Sequence, residues 1–418
     1  MRMEMQKKFA DLFYSFHPEP APPGCLPDRL VFRGAADIPG AVMNSAYMVV
    51  TEPVLMKAEP HYHNDADEYL AILGGTLPDV FASWDAEVHF YMGPTLDAME
   101  KVVITEPTMV KVPRGWWHCP LNFVRVDKPI FFLPAVLGRN ADLVKQVMVN
   151  GSPMRMVFPE DCGEEAKFPS APWKVINEDG VLSYTDKGAY DDTKAPSGED
   201  SVLMPGVVSK PYGDTCILKA PKPALSEELR GKILAMPREM TGWGDWCPCP
   251  QAYFRGQTYM AEATYDIGFQ LYCNTVDAEV THFHSSGEEY IFFMGADPKN
   301  PMDFDAEIEM TIGEDSEHLE SKLITSPTVV RLPPNTWHAP IKFRKMNKPV
   351  LFQAAYLAGT WGVIHRVKDR EDGDPNRGPH SRKQVYEYMG NDTRLCMHDP
   401  NRRCNLCGMC FKKMKKPE

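Results

Sequence analysis

The 418-residue chain carries a copy of itself, and that duplication limits the folds open to it more than any other feature. Thr105 to Phe132 (TEPTMVKVPRGWWHCPLNFVRVDKPIFF) aligns with Thr325 to Phe352 (TSPTVVRLPPNTWHAPIKFRKMNKPVLF). Within it, Thr105, Pro113, Trp117, His118, Pro120, Phe123, Lys128, Pro129 and Phe132 all recur 220 positions later. Asp85-Ala86-Glu87 and Gly93 return at the same spacing as Asp305-Ala306-Glu307 and Gly313. Further upstream, HYHNDADEYLAILGG (His61 to Gly75) matches HFHSSGEEYIFFMGA (His282 to Ala296) at an offset of 221. Whatever one half builds, the other builds again, so the chain holds two like domains.

Each copy reads as short strands punctuated by turns. His61-Tyr62-His63 precedes a polar turn at Asn64 to Asp67, and an apolar run from Glu68 follows to Gly74-Gly75. His282-Phe283-His284, the turn Ser285 to Glu288 and the run from Glu289 to Gly295 repeat that layout. The 38 prolines, near 9 per cent of the chain, also favour strand edges and turns over helices. Helical signal is confined to the first dozen residues and to Ser226–Met236. The expected architecture is therefore mainly β, a sandwich or barrel in each half. Residues 1–150 make the first domain, 151–215 a Pro-, Gly-, Asp- and Ser-rich linker, 216–370 the second domain, and 371–418 an extension. The linker near 185–205 is expected at the surface.

The duplication preserves three histidines and a glutamate in each half. Residues i and i+2 of a strand face one way, so His61 and His63 can approach one ion. Glu68 opens the return strand after the turn, and His118 follows the turn Pro113-Arg114-Gly115. The second half offers His282, His284, Glu289 and His338 in the same order. These residues persist while their neighbours diverge (Asn64-Asp65-Ala66-Asp67 against Ser285-Ser286-Gly287-Glu288), which points to metal ligation rather than ordinary core histidines. Three imidazoles and a carboxylate suit Mn, Fe, Ni, Co or Zn and leave positions free on an octahedral ion. Asp65, Asp67 and Glu288 stand beside the sites as candidate supporting or acid–base groups. Asp67, Glu68 and Glu289 are the candidate catalytic carboxylates. Trp116, Trp117 and Trp337 either wall the pocket or simply pack the barrel.

These residues resemble the cupin superfamily. Its first motif, His-x-His followed by Glu, is matched by His61, His63 and Glu68 and by His282, His284 and Glu289. Its second, Pro-x-Gly-x2-His-x3-Asn, is complete at Pro113, Gly115, His118 and Asn122. The second copy departs, with Asn335 for the glycine and Lys342 for the asparagine; asparagine tolerates left-handed backbone, so the turn can survive. The glycine expected six residues before each His-x-His is replaced by Leu55 and Val276. The resemblance implies two tandem cupin barrels (double-stranded β-helices), each holding one divalent ion, with manganese first among the candidates.

A second constellation closes the chain. Cys404, Cys407 and Cys410 sit at x2 spacing with Cys396 upstream, a set suited to a structural zinc ion. CNLCGMC also resembles the CxxCGxC run of bacterial ferredoxins, which leaves an iron–sulfur cluster open, with Cys247 or Cys249 as a remote partner. Eleven cysteines in uneven clusters fit free thiols or metal ligands better than a disulfide framework.

The net charge of −12 argues against nucleic acid as the main partner. The longest apolar runs, such as Pro129 to Leu137, are too short to span a bilayer, and no signal peptide is evident. The expectation is a cytoplasmic enzyme, a homo-oligomer acting on a small oxygen-rich molecule. The free thiols suggest a reducing setting and hence redox-neutral C–C cleavage. The layout resembles the manganese-dependent dihydrophloroglucinol cyclohydrolases, which implies hydrolytic opening of a cyclic 1,3-diketone. The alternatives are an oxalate decarboxylase-like lyase, a ring-cleaving dioxygenase, or a non-enzymatic storage or ligand-binding bicupin.

Overall fold

The computed structural model describes residues 9–159 apart from 27, 58 and 151, the strands 173–177 and 180–184, residues 225–359 apart from 240–244, 280, 286, 316 and 317, and 362–367, 385–390, 395–396 and 399–403. It is mainly β, and the chain divides into two compact units, each built around one barrel.

Barrel one is formed by two antiparallel sheets. The first runs in the order Ile233–Ala235, Thr108–Val112, Asp67–Gly74, Ile130–Leu137, Asn44–Val50, Asp28–Phe32, Pro18–Pro20. The second runs Ser152–Phe158, Leu143–Val149, His61–Tyr62, Trp117–Val126, Ala86–Gly93, Glu100–Ile104, with Val54–Lys57 also paired to Trp117–Val126. In the middle of each sheet non-consecutive strands adjoin, which is the double-stranded β-helix pattern. Ile72, Val110 and Phe132 of one sheet and Val88, Phe90 and Phe123 of the other share one buried cluster. Phe123 and Phe132 meet across it at 5.8 Å between ring centroids.

Barrel two repeats that order: Phe13–Ser15, Thr328–Leu332, Glu289–Gly295, Val350–Tyr356, Asp266–Tyr272, Gln251–Phe254, Arg238–Glu239 in one sheet. The other runs Leu319–Ile324, Ala306–Gly313, Trp337–Met346, His282–Phe283, Gly362–Val367, Val385–Gly390, with Val276–Ala278 also paired to Trp337–Met346. Tyr272, Phe293, Phe343 and Phe352 pack together in its core.

The outermost strand of the first sheet is exchanged between the repeats. Phe13–Ser15 pairs with Thr328–Val330 of barrel two, whereas its counterpart Ile233–Ala235 pairs with Thr108–Val110 of barrel one. The compact units accordingly place Phe13–Ser15 with barrel two and Ile233–Ala235 with barrel one. The helix expected over Ser226–Met236 is correspondingly short. It covers Glu227–Arg230, capped by the Ser226 side chain accepting from the Leu229 N–H, and then gives way to the exchanged strand. Tertiary pairing overrides local helix propensity there.

The turn before the last histidine survives in both halves. Gly115 and Asn335 both take left-handed backbone, at φ 77° and 66°. Their N–H groups donate to the His63 and His284 carbonyls, each at 2.7 Å. Asparagine thus does the glycine's work in the second copy. Residues 185–205 lie outside the described residues. Among the described residues, no helix is long and apolar enough to cross a membrane.

Candidate metal centres

Facing strands bring each quartet together. In barrel one, His61 lies opposite His118 across the strand pair, with ring centroids 4.1 Å apart. His282 and His338 hold the same register in barrel two, at 4.2 Å. Single donor atoms of His282, His284, Glu289 and His338 all lie within 4.8 Å of one another. Barrel one forms two overlapping groups on that scale: His63, Glu68 and His118, and His61, His118 and Cys119. All eight quartet side chains are buried.

Backbone carbonyls orient the imidazoles. The Nδ1 of His61 meets the Glu59 carbonyl at 3.0 Å, that of His63 the Asp142 carbonyl at 2.9 Å, and that of His118 the Trp116 carbonyl at 3.2 Å. In barrel two, His284 Nδ1 meets Gly362 O at 2.7 Å and His338 Nδ1 meets Thr336 O at 3.0 Å. A carbonyl only accepts, so these Nδ1 atoms carry the proton and each Nε2 keeps a lone pair in the neutral ring.

Those lone pairs face carboxylates. His118 Nε2 is 3.0 Å from Glu68 Oε2, and His338 and His284 Nε2 are each 3.1 Å from Glu289 Oε2. Glu68 Oε2, His118 Nε2 and His338 Nε2 are buried without a well-formed hydrogen bond. Two acceptors at such a distance repel unless a proton or a cation joins them. A divalent cation satisfies the whole set at once, so the donor geometry fits the ion that the residue types suggest.

The electrostatics follow the same logic. Burial opposes ionisation of Glu68, but positive charge on the His118 and His63 side outweighs it and holds the carboxyl well below the usual range, a charge that a bound divalent cation would supply in place of protons. Glu289 is held low in the same way, against burial, by His284 and His338. Burial, together with His118, Lys57 and His63, drives His61 well below the ordinary histidine value, which keeps it a neutral donor.

Asp67 is not brought to the site. It neighbours Glu68 on one strand and so points the other way, where Lys111 Nζ lies 3.1 Å from its carboxylate and the Arg114 N–H donates at 2.9 Å. Glu288 is likewise held by Arg331 at 2.5 Å, and Asp65 is exposed. Trp117 packs on Tyr62 and Trp337 on Phe283, while Trp116 leans on the core of barrel one. Cys404, Cys407 and Cys410 and the Cys396 side chain lie outside the described residues. Cys247 is buried against Gln251 Nε2 at 3.0 Å, and Cys249 is exposed.

A cavity of about 730 Å³ opens onto the barrel-one quartet. Its walls include Leu70, Phe90, Leu121 and Phe132, and it is also lined by Arg29, Arg33, Lys57 and Arg139. Arg33 is clamped by Glu19, and Arg255 by Glu239 in barrel two, where the two bonds are 2.8 and 2.6 Å. Phe32-Arg33-Gly34 and Phe254-Arg255-Gly256 repeat at an offset of 222, a signal of this paired cation that the longer alignments overshadow. Barrel two also holds a buried carboxyl, Asp266, which burial pushes up to about 7. Barrel one has Asn44 there, donating to the Gly138 carbonyl at 2.8 Å.

No family model and no curated protein matches the chain. Solved structures similar to it include a variant of Bacillus subtilis oxalate decarboxylase, at 11% identity and a TM-score of 0.46, covering 83% of this chain and 77% of that one. Another is a Lactobacillus farciminis oxalate decarboxylase formate complex, at 10% identity and a TM-score of 0.45, covering 83% of this chain and 86% of that one. A third concerns the Mn(II) centres of the Bacillus subtilis enzyme, at 10% identity and a TM-score of 0.46 over 83% and 77%.

Proposed function

We propose that the protein is a divalent-metal-dependent enzyme whose barrel-one site cleaves a C–C bond without net redox change, by hydrolytic opening of a cyclic 1,3-diketone. The observation that carries this reading is the cavity of about 730 Å³ that gives a small molecule access to His61, His63, Glu68 and His118. Manganese is the proposed ion, with iron, zinc, nickel and cobalt as alternatives. When bound, it supplies Lewis-acid polarisation of a carbonyl oxygen.

The chain's own groups do the rest. His61, His63 and His118 would hold the ion and Glu68 would offset one of its positive charges. Leu70, Phe90, Leu121 and Phe132 form an apolar wall that limits water, so polar interactions inside strengthen. Lys57 and Arg139, the lining cations not paired with Glu19, favour negative charge on the substrate's oxygens. The reaction consumes one water: a C–O bond forms at the ring carbonyl, the adjacent C–C bond breaks, and its electron pair leaves as an enolate that takes up a proton. In barrel two, the Tyr356 ring lies tilted against His284 at 4.7 Å between centroids, which fits a structural centre there.

A second reading, decarboxylation of a small carboxylate, draws on the same cationic lining. Anaerobic incubation of the manganese-loaded protein with cyclohexane-1,3-dione and, separately, with oxalate tests both. A ring-opened oxo acid formed without CO₂ is the expected result; CO₂ from oxalate would favour the second reading. Stoichiometric O₂ uptake in air would refute both and support a dioxygenase. Absence of metal from the purified protein would favour a ligand-binding role.

A further inference from the structure

The duplication allows one barrel to be read against the other, position by position. Lys57 is opposite Leu121 on the strand that carries His118, and the corresponding pair in barrel two is Ala278 and Ile341. Val136 is opposite Glu68, and Tyr356 is opposite Glu289. The ligands are shared, but the residues around them are not.

Two of the differences concern charge and space. Lys57 and Val136 both line the barrel-one cavity. In barrel two, alanine replaces the lysine and a fully buried tyrosine replaces the valine. Barrel two also places a second carboxylate by its quartet, Glu279 Oε2 lying 3.8 Å from His282 Nε2. The residue aligned with Glu279 in barrel one is Ala58.

Of the other cations that line the cavity, Arg29 and Arg33 are already neutralised and Arg139 is exposed. Lys145 pairs with Glu59 at 3.0 Å, Lys111 with Asp67 at 3.1 Å, and Arg29 and Arg33 both with Glu19. Among the described residues, Lys57 has no carboxylate partner. It is only partly exposed. A charge that lines a ligand cavity without a protein counter-ion is complemented by a charge on the ligand.

We propose that Lys57 is the specificity-determining residue of barrel one and that the cavity takes its ligand as an oxyanion paired with the Lys57 ammonium. The ligand class is a small carboxylate or the enolate of a cyclic 1,3-diketone, which ionises as a vinylogous acid. Both present a negative oxygen at neutral pH. Barrel two, with Glu279 and no lysine, disfavours such a ligand, so binding is one per chain. The assignment rests on the reading of barrel one as the substrate site.

The test is calorimetric titration of the manganese-loaded full chain with cyclohexane-1,3-dione and with oxalate, using wild type, Lys57→Met and Lys57→Arg. Manganese per chain and thermal melting are measured on each protein. One of the two anions is expected to bind wild type at one per chain, and which one distinguishes the enolate from the carboxylate source. Lys57→Met should weaken that binding about ten- to hundredfold, as for loss of a charged hydrogen bond. Lys57→Arg should retain most of it, and manganese content and melting should stay at wild-type values. Wild-type affinity in Lys57→Met, or failure of both anions to bind wild type, overturns the proposal. Lack of manganese in wild type instead removes the enzymatic reading, and Lys57-dependent anion binding to that protein would still uphold the assignment.

Discussion

Removing the negative charge of Glu68 tests the metal reading at its most constrained atom. Glu68 Oε2 is 3.0 Å from His118 Nε2 and 3.6 Å from His63 Nε2, in a side chain 10% exposed. With the Nδ1 protons committed to carbonyls, the centre is a cluster of acceptors that only a cation satisfies. An ion that binds the folded state alone stabilises it by about 2.7 kcal/mol at a free concentration a hundredfold above Kd. At about 2–4 °C per kcal/mol for a unit of this size, that raises the melting temperature by roughly 5–11 °C. Glu68→Gln keeps the shape and removes the charge, leaving three neutral imidazoles and an amide oxygen. A tenfold loss of affinity then takes about 1.4 kcal/mol from the gain, or roughly 3–6 °C. Scanning calorimetry of wild type, Glu68→Gln and Glu289→Gln, each with manganese and with a chelator, reads this directly. A manganese-dependent shift as large in both variants as in wild type would refute the ligand assignment.

Two further outcomes follow from packing and titration. Asp266 has a folded pKa of about 7, above its unfolded value, because burial penalises its charge; its contribution is favourable below the unfolded pKa and is lost as pH rises through about 7. Asp266→Asn, which copies Asn44, should therefore stabilise the protein at pH 8 by about 1–3 kcal/mol in urea melts and much less at pH 4; equal gains at both would contradict this. Gly74→Ala would place a Cβ 2.2 Å from the Val80 carbonyl and 2.4 Å from Ser83 Oγ, so a loss of about 1–3 kcal/mol is expected, and an unchanged urea midpoint would show that the loop yields freely.

Much of the site was legible in the chain because the duplication supplied its own control. His61, His63, Glu68 and His118 recur with their spacing intact, and strand periodicity is a local property, so both quartets were identifiable. Asn335 could be read as a substitute for Gly115 because left-handed backbone belongs to the residue itself. Strand parity likewise contained the orientation of Asp67 away from Glu68. The exchange of Phe13–Ser15 with Ile233–Ala235 had no such local signature, since each edge strand pairs with residues more than a hundred positions away. The placement of Lys57, Val136 and Cys119 along the cavity was hidden for a related reason. Sequence shows that Ala278, Tyr356 and Ala339 replace them, but only the register of Lys57 against Leu121 and Val136 against Glu68 turns those differences towards the cavity. A strand's alternation determines which residues share a face. Which face turns inward, and which partner lies across from it, is decided by long-range pairing.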